Sequence, residues 1–293
     1  MLQGPPLAED TMTIKDLLLH VDQGPTAQAR VEATMALADR FGASVKALHL
    51  VAEPFMPGVA GHHMPEDVLR EHLARVEAEA EPLLAFVREE AARRGAALAL
   101  VRESGPLDRL PSLLARHARY ADLTILGRPD LGAGGGADDI LLVEAAFMDS
   151  GRPALLIPPG GTPTVPPWRV LIAWDGSREA ARATSDALPL LQQADSAIVL
   201  VVDGRDVQGR VGGQAPGTAI AGHLGRHGVK AEVKQVPASG GGTGEVILAQ
   251  AKEEEADLLV LGGYGHSRLR EMMLGGVTRF MLEHATVPTL LAH

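Results

Sequence analysis

The chain contains no cysteine, few aromatic residues and no long apolar run. The absence of cysteine excludes disulfide bonds, thiolate metal sites, iron–sulfur clusters and cysteine nucleophiles. Aromatic residues make up 3% of the 293 residues, so the core has to be built mainly from alanine, leucine and valine. The apolar runs are far shorter than the roughly 18 residues of a membrane-spanning helix, and residues 1–13 lack the pattern of an export signal. We therefore expect a cytoplasmic protein that does not enter a membrane.

Basic residues are also outnumbered. The chain has 37 acidic and 27 basic side chains, and its net charge is −10. A surface this negative repels phosphate backbones, which argues against general nucleic-acid binding. Hydrophobic residues make up 46% and charged residues 22%, as in ordinary globular proteins. The length suggests two domains of roughly 150 residues each.

One structural plan occurs twice in the sequence. Residues 121–127 (ADLTILG) resemble residues 256–262 (ADLLVLG), which lie 135 positions further along the chain. The beginnings of the two halves, residues 17–22 (LLLHVD) and 170–175 (VLIAWD), are 153 positions apart, so the first half contains about 18 additional residues.

A stretch rich in proline and glycine separates the two copies. Such a segment cannot continue a helix or a central strand, and it is typical of a linker. The sequence therefore predicts a first domain at residues 13–158, a linker at 159–167 and a second domain at 168–293.

Short apolar runs alternate with helical patterns in each copy. The pattern is typical of an α/β fold, in which a parallel sheet is covered by helices on both faces. In such sheets, ligands bind at the carboxyl ends of the strands, at the point where the strand order reverses. For the second copy we predict strands at 169–174, 197–202, 231–236, 257–261 and 288–291, and helices at 177–193, 218–227, 245–254 and 276–284.

A glycine-rich segment follows the fourth strand of the second copy. Gly262 and Gly265 are followed by nine residues and then by Gly275 and Gly276. Glycines allow a backbone to approach an anion closely, and the following helix would present unpaired N–H groups and the positive end of its dipole. Asp175, at the end of the first strand, would face the same crevice and could accept hydrogen bonds from ribose hydroxyls. The segment therefore predicts a nucleotide site, and the alternative is a tight turn that binds nothing.

The spacing Gly262-x2-Gly265-x9-Gly275, together with Asp175-Gly176-Ser177, resembles the nucleotide-binding signature of the universal stress protein family. The resemblance extends over nearly the whole chain, as two tandem domains. It implies a doubly wound five-stranded parallel sheet of order 3-2-1-4-5 in each domain. It also implies ATP binding in some members, no established reaction for most, and a role in stress survival. In ATP-binding members, the site is lined by the positions that match Asp175, Val202, Gly262, Gly265, Gly275 and Gly276.

The second copy departs from the family signature at one position. The signature ends in Gly-Ser or Gly-Thr, but Gly275 is followed by Gly276, so a hydroxyl that would bind a phosphate is missing. One lost hydrogen bond of this kind costs about 1–2 kcal/mol, or roughly tenfold in affinity. Thr278, two residues further along the helix, is not expected to replace it.

The first copy has lost the glycine segment. The offset of 135 positions places Asp130 where the second copy has Gly265, and Ile140 and Leu141 where it has the two later glycines. A carboxylate repels a phosphate, and we expect the branched side chains to fill the space, although Asp22 remains at the ribose position. We therefore expect a degenerate first domain and one nucleotide site per chain.

Three histidines lie near the additional residues of the first copy. His62, His63 and His72 could bind zinc, and the alternative is that they are solvated. The predicted helix at residues 65–94 carries an apolar stripe that faces either the core or a partner, and the second possibility would allow a homodimer.

The sequence as a whole predicts a stress-response protein that binds ATP and acts as a regulator. Two alternatives are a ligand-free module that binds an unidentified protein and a slow ATP hydrolase. Because family members commonly pair through their last strands, the resemblance implies that residues 154–157 and 289–292 join the halves as an internal pseudo-dimer.

Overall fold

The computed structural model describes residues 13–53, 66–129, 136–161, 164–203, 215–238, 242–263 and 276–293. Within these residues, ten strands form one sheet, and helices lie on both of its faces. No helix in the described part of the chain is both long enough and apolar enough to cross a lipid bilayer.

In its described residues, the first half has five strands of this sheet and four α-helices that pack against it. A short 3-10 turn, Leu107–Arg109, precedes the third helix, and a π-helical segment, Ala145–Asp149, continues the fourth. The elements are β1 (Asp16–Val21), α1 (Ala27–Phe41), β2 (Ser44–Ala52), α2 (Glu66–Arg94), β3 (Leu98–Gly105), α3 (Leu110–Ala118), β4 (Leu123–Gly127), α4 (Gly136–Glu144) and β5 (Ala154–Ile157).

The second half repeats this arrangement, except that two short helices follow its first strand where the first half has one helix. The elements are β6 (Arg169–Ala173), α5 (Arg178–Asp186), α6 (Leu188–Leu191), β7 (Ser196–Asp203), α7 (Thr218–Arg226), β8 (Ala231–Pro237), α8 (Thr243–Glu253), β9 (Leu258–Gly262), α9 (Gly276–His284) and β10 (Thr289–Ala292). The helix predicted at residues 177–193 is two helices, and the second begins at Leu188 with Pro189 in its first turn. Proline has no N–H to continue a preceding helix, but it is tolerated in the first turn of a new one.

The strand order confirms the predicted fold class. The order across the sheet is β3-β2-β1-β4-β5-β10-β9-β6-β7-β8, so each half has the order 3-2-1-4-5. All strand pairs within a half are parallel, whereas β5 and β10 pair antiparallel. Leu155 pairs with Leu290, its counterpart at the offset of 135, so a local two-fold axis relates the halves at this pair. The internal pseudo-dimer is thus confirmed.

Two apolar layers cover the faces of the sheet and extend across the junction of the halves. Alternate residues of β1 enter different layers: Leu17 and Leu19 face α1 and α2, while Leu18 faces α3 and α4. Both layers contain buried residues from β5 and from β10. Because the halves share these layers, separating them would expose apolar surface to water.

Candidate functional site

A crevice of about 760 Å³ opens at the carboxyl ends of the strands in the second half. It lies where the strand order reverses, between β6 and β9, which is the position favoured for ligands in this type of sheet. Four of the six predicted site residues line it, namely Asp175, Val202, Gly262 and Gly276. The other two, Gly265 and Gly275, lie outside the described residues.

A turn after β6 holds Asp175 at the crevice. The backbone N–H of Ser177 donates to Asp175 Oδ1 at 2.9 Å, and Ser177 Oγ accepts from the N–H of Ala180 at 3.1 Å. Ser177 thereby caps α5. The carboxylate consequently stands beside the beginning of a helix, within reach of a ligand in the crevice.

The wall of the crevice beneath Asp175 is apolar. It is formed by residues from four neighbouring elements, β6, β7, α8 and β9. Such a surface suits a flat, weakly polar group such as a purine base, with a few polar groups around it to orient the ligand. The apolar side chains in this wall are Ala173, Leu200, Val202, Ile247 and Leu261.

Three helices begin at the crevice. Besides the cap of α5, the lining includes Thr243, the first residue of α8, and Gly276, the first residue of α9. Helix N-termini present unpaired N–H groups and positive partial charge, so their convergence favours an anion. Thr278 also lines the crevice and is 3% exposed, although we expected it to lie too far along the helix to take part.

The lining glycines differ in what surrounds them. A Cβ on Gly262 would lie 2.5 Å from the backbone nitrogen of Ala180, so β9 can pack against α5 only through a glycine. A Cβ on Gly276 would meet no atom of the described residues within 4 Å. Gly262 is therefore required by packing, whereas no described residue crowds Gly276.

The equivalent position in the first half contains a buried ionic network. His20 stands where the second half has Ala173, and Arg30 stands where the offset of 153 places Ala183. Arg30, 1% exposed, donates to both carboxylate oxygens of Asp22, at 2.6 and 2.7 Å, and to the carbonyl of His20 at 3.0 Å. His20 Nδ1 lies 3.1 Å from Asp22 Oδ2.

This network changes the titration of two carboxyl groups. Burial alone would raise the pKa of Asp22, but hydrogen bonds from His20 and Arg30, together with the charge of Arg30, hold that pKa well below its ordinary value. Asp139, in the first turn of α4, has a raised pKa because of burial and the nearby charge of Asp22. Asp22 is therefore already bonded where its counterpart Asp175 faces the crevice.

One of the side chains that were expected to fill the first half's site does not do so. Leu141 is 48% exposed and Ile140 is half-buried, so Leu141 does not fill the position. Asp130 lies outside the described residues. Arg30 packs against Gly127, the counterpart of Gly262, with its Cζ 3.6 Å from where a Cβ would be. The sequence signal that could have revealed this was Arg30 itself, a charged residue among the apolar residues of the helical pattern that follows β1.

The predicted histidine cluster is only partly described. His62 and His63 lie outside the described residues, while His72 is half-buried and its Nε2 lies 3.3 Å from the carbonyl oxygen of Ala52. In the described ranges, no three histidine, aspartate or glutamate side chains are arranged to hold a metal ion.

Comparisons with known proteins identify relatives of both the sequence and the fold. Residues 168–293 match the universal stress protein family. A universal stress protein of Synechocystis sp. is 30% identical over 122 residues, which are 42% of this chain and 41% of that protein. The crystal structure of a universal stress protein from Archaeoglobus fulgidus DSM 4304 is 16% identical, with a TM-score of 0.69 and coverage of 94% of this chain and 97% of that one. The chain thus spans less than half of the curated relative but nearly all of the solved structure, with which it shares the fold.

Proposed function

We propose that this chain, whose residues 168–293 match the universal stress protein family, is a stress-response protein that binds one ATP molecule in the crevice of its second half. The observation that carries the proposal is the convergence of Asp175, Val202, Gly262 and Gly276 on one crevice at the switch point of the sheet. A cytoplasmic location, an unidentified protein partner and a possible homodimer belong to the same proposal.

Each part of the crevice suits one part of a nucleotide. The carboxylate of Asp175 would accept hydrogen bonds from ribose hydroxyls, and the apolar wall around Val202 would receive the base. The beginning of α9 would face the phosphates, and no atom of the described residues lies within 4 Å of where a Cβ of Gly276 would be. The residues present therefore fit the ligand that the family resemblance implies.

The proposal places one nucleotide in each chain. In the first half, Arg30 and His20 already bond the carboxylate of Asp22, which is the counterpart of Asp175. A ribose there would have to displace a charge-assisted pair and leave a buried guanidinium unsatisfied, which is costly. The first half would accordingly have a structural role.

Titration calorimetry with ATP at fixed salt tests the proposal. We expect one site per chain in the wild type, no binding after Gly265→Asp, and weakened binding after Asp175→Ala. The matched change in the first half, Asp22→Ala, should leave the affinity unchanged. Two sites per chain, or unchanged affinity after Gly265→Asp, would refute the placement of the site.

Two further outcomes would identify the alternative functions. If the wild type binds no ATP but Gly276→Ser does, the chain would be a ligand-free interaction module that lost its site at one residue. Steady release of phosphate from bound ATP would instead identify a slow hydrolase.

A further inference from the structure

The backbone next to the crevice is in contact with the first half. Gly263 directly follows Gly262 and is itself buried. A Cβ on Gly263 would lie 2.5 Å from Cε2 and 3.1 Å from Cζ of Phe147. Phe147 is 0% exposed and belongs to the π-helical segment Ala145–Asp149 of the first half. The chain therefore leaves β9, towards the glycine segment, with an aromatic ring of the other half packed against it.

Gly263 is also held by the end of the chain. Its N–H donates to the carbonyl of Ala292 at 2.8 Å, and its carbonyl oxygen lies 3.0 Å from His293 Nδ1. With the ring of Phe147 against its Cα, this residue is restrained by hydrogen bonds along the chain and by packing from the first half. The neighbouring Gly262, which lines the crevice, is therefore held from its C-terminal side.

The local two-fold axis makes this contact stand out, because the other side of the junction is built differently. The offset of 135 relates Gly263 to Arg128 and Phe147 to Leu282. On that side, Arg128 Nη1 donates to the carbonyl of Leu282 at 3.1 Å and to that of Glu283. A glycine that receives an aromatic ring thus lies on the side of the crevice, and an arginine lies on the side of the ionic network.

We propose that Phe147 is a positioning residue for the nucleotide site, through which the first half holds the backbone of Gly262 and Gly263 beside the crevice. This inference rests on the proposed function, because it concerns the same site. Gly262, which directly precedes Gly263, lines the crevice, and residues of a binding site act well when packing holds them within about 0.5 Å of the productive geometry. Packing in the first half and nucleotide affinity in the second half are then coupled, and by linkage a bound nucleotide stabilises the junction.

A double-mutant cycle tests this role. Phe147→Ala removes the ring and should weaken ATP binding at least tenfold, while Phe147→Leu, which keeps most of the apolar contact, should restore most of the affinity. Gly263→Ala adds a methyl group against the ring and should also weaken binding. In the double variant the methyl group no longer meets the ring. The loss of ATP affinity should therefore be much smaller than the product of the two single losses.

A matched control separates positioning from general destabilisation. Met35 is also 0% exposed, but it lies in α1 within the opposite apolar layer. Met35→Ala should reduce stability by an amount similar to Phe147→Ala and change ATP affinity less than twofold. Equal affinities for Phe147→Ala and Met35→Ala, or effects that simply multiply in the double variant, would overturn the proposal.

Hydrogen exchange without nucleotide keeps this test independent of the proposed function. The backbone N–H of residue 263 should exchange faster after Phe147→Ala or Gly263→Ala, and should be unaffected by Met35→Ala. If the wild type binds no ATP, the proposed function fails and the exchange rates alone decide whether Phe147 holds this backbone. If the wild type binds ATP and the Phe147 variants bind it equally well, the positioning role fails and the proposed function stands. Should Phe147→Ala not fold, Phe147→Leu and Gly263→Ala carry the comparison.

Discussion

Replacing Arg30 by methionine should destabilise the folded chain by a measurable amount. Methionine keeps an unbranched apolar chain in the buried position but removes the guanidinium group. That group is 1% exposed and donates to both carboxylate oxygens of Asp22 and to the carbonyl of His20. The substitution leaves the carboxylate of Asp22 without its principal partner.

The size of the effect follows from how far each partner is buried. Removing one member of a fully buried ion pair costs about 3–5 kcal/mol, because the other charge is left uncompensated. The side chain of Asp22 is 40% exposed, so water can solvate the orphaned carboxylate in part. Since this screening reduces the cost, we expect a loss of about 2–3 kcal/mol in the free energy of unfolding at neutral pH.

The loss should also depend on pH, in a direction set by Asp22. Its pKa is lowered in the folded chain and takes an ordinary value of about 3.8 in the unfolded chain. The pair therefore contributes its full stability above pH 3.8, and this contribution declines as the pH falls further, because the unfolded chain then binds the proton more readily. The difference between wild type and Arg30→Met should shrink below pH 4, by at most about 1.4 kcal/mol for each pH unit.

Urea unfolding at pH 7 and at pH 3 measures both effects. Arg116→Met, at an exposed position, is the control and should change the free energy of unfolding by less than about 0.5 kcal/mol. In an Asp22→Asn background, Arg30→Met should cost less, since no carboxylate remains to be orphaned. The reasoning is refuted if Arg30→Met is as stable as the wild type at pH 7, or if its cost is the same with Asn at position 22.

Four further substitutions concern the glycines and the junction. Gly276→Ser should tighten ATP binding about tenfold in calorimetry, because its Cβ would meet no atom of the described residues within 4 Å and its hydroxyl could bond a phosphate. Gly262→Ala should cost about 1–3 kcal/mol in urea unfolding, because its Cβ would meet the backbone of α5. Gly127→Ala should cost less, because its Cβ would meet the movable hydroxyl of Thr26. Leu290→Ala should lower stability by about 2–5 kcal/mol, since Leu290 is 0% exposed, and calorimetry should still find a single transition; separate transitions for the two halves would contradict the shared apolar layers.

Much of the fold could be predicted because the relevant signals are local. Strands buried on both faces need apolar residues at nearly every position, so β6, β7 and β9 stand out in the sequence. The resemblance to the family placed the junction at residues 154–157 and 289–292, which the structure has as the strands Ala154–Ile157 and Thr289–Ala292. The prediction of one continuous helix at 177–193 was wrong, because the structure has two helices there. In the sequence, a proline in the first turn of a new helix looks the same as a proline inside a long one.

The sequence by itself determined the alternation of strands and helices and the position of the crevice at the carboxyl ends of the strands, because spacing and apolar pattern act along the chain. The strand order and the role of Val202 followed only from the resemblance to the family. Only the tertiary structure decided which side chains meet. It brought Thr243 and Thr278 to the crevice, closed Arg30 onto Asp22 in the first half, and placed Phe147 against Gly263 across the junction. These contacts join residues whose separation in sequence carries no periodic signal, since they depend on how separate elements pack in three dimensions.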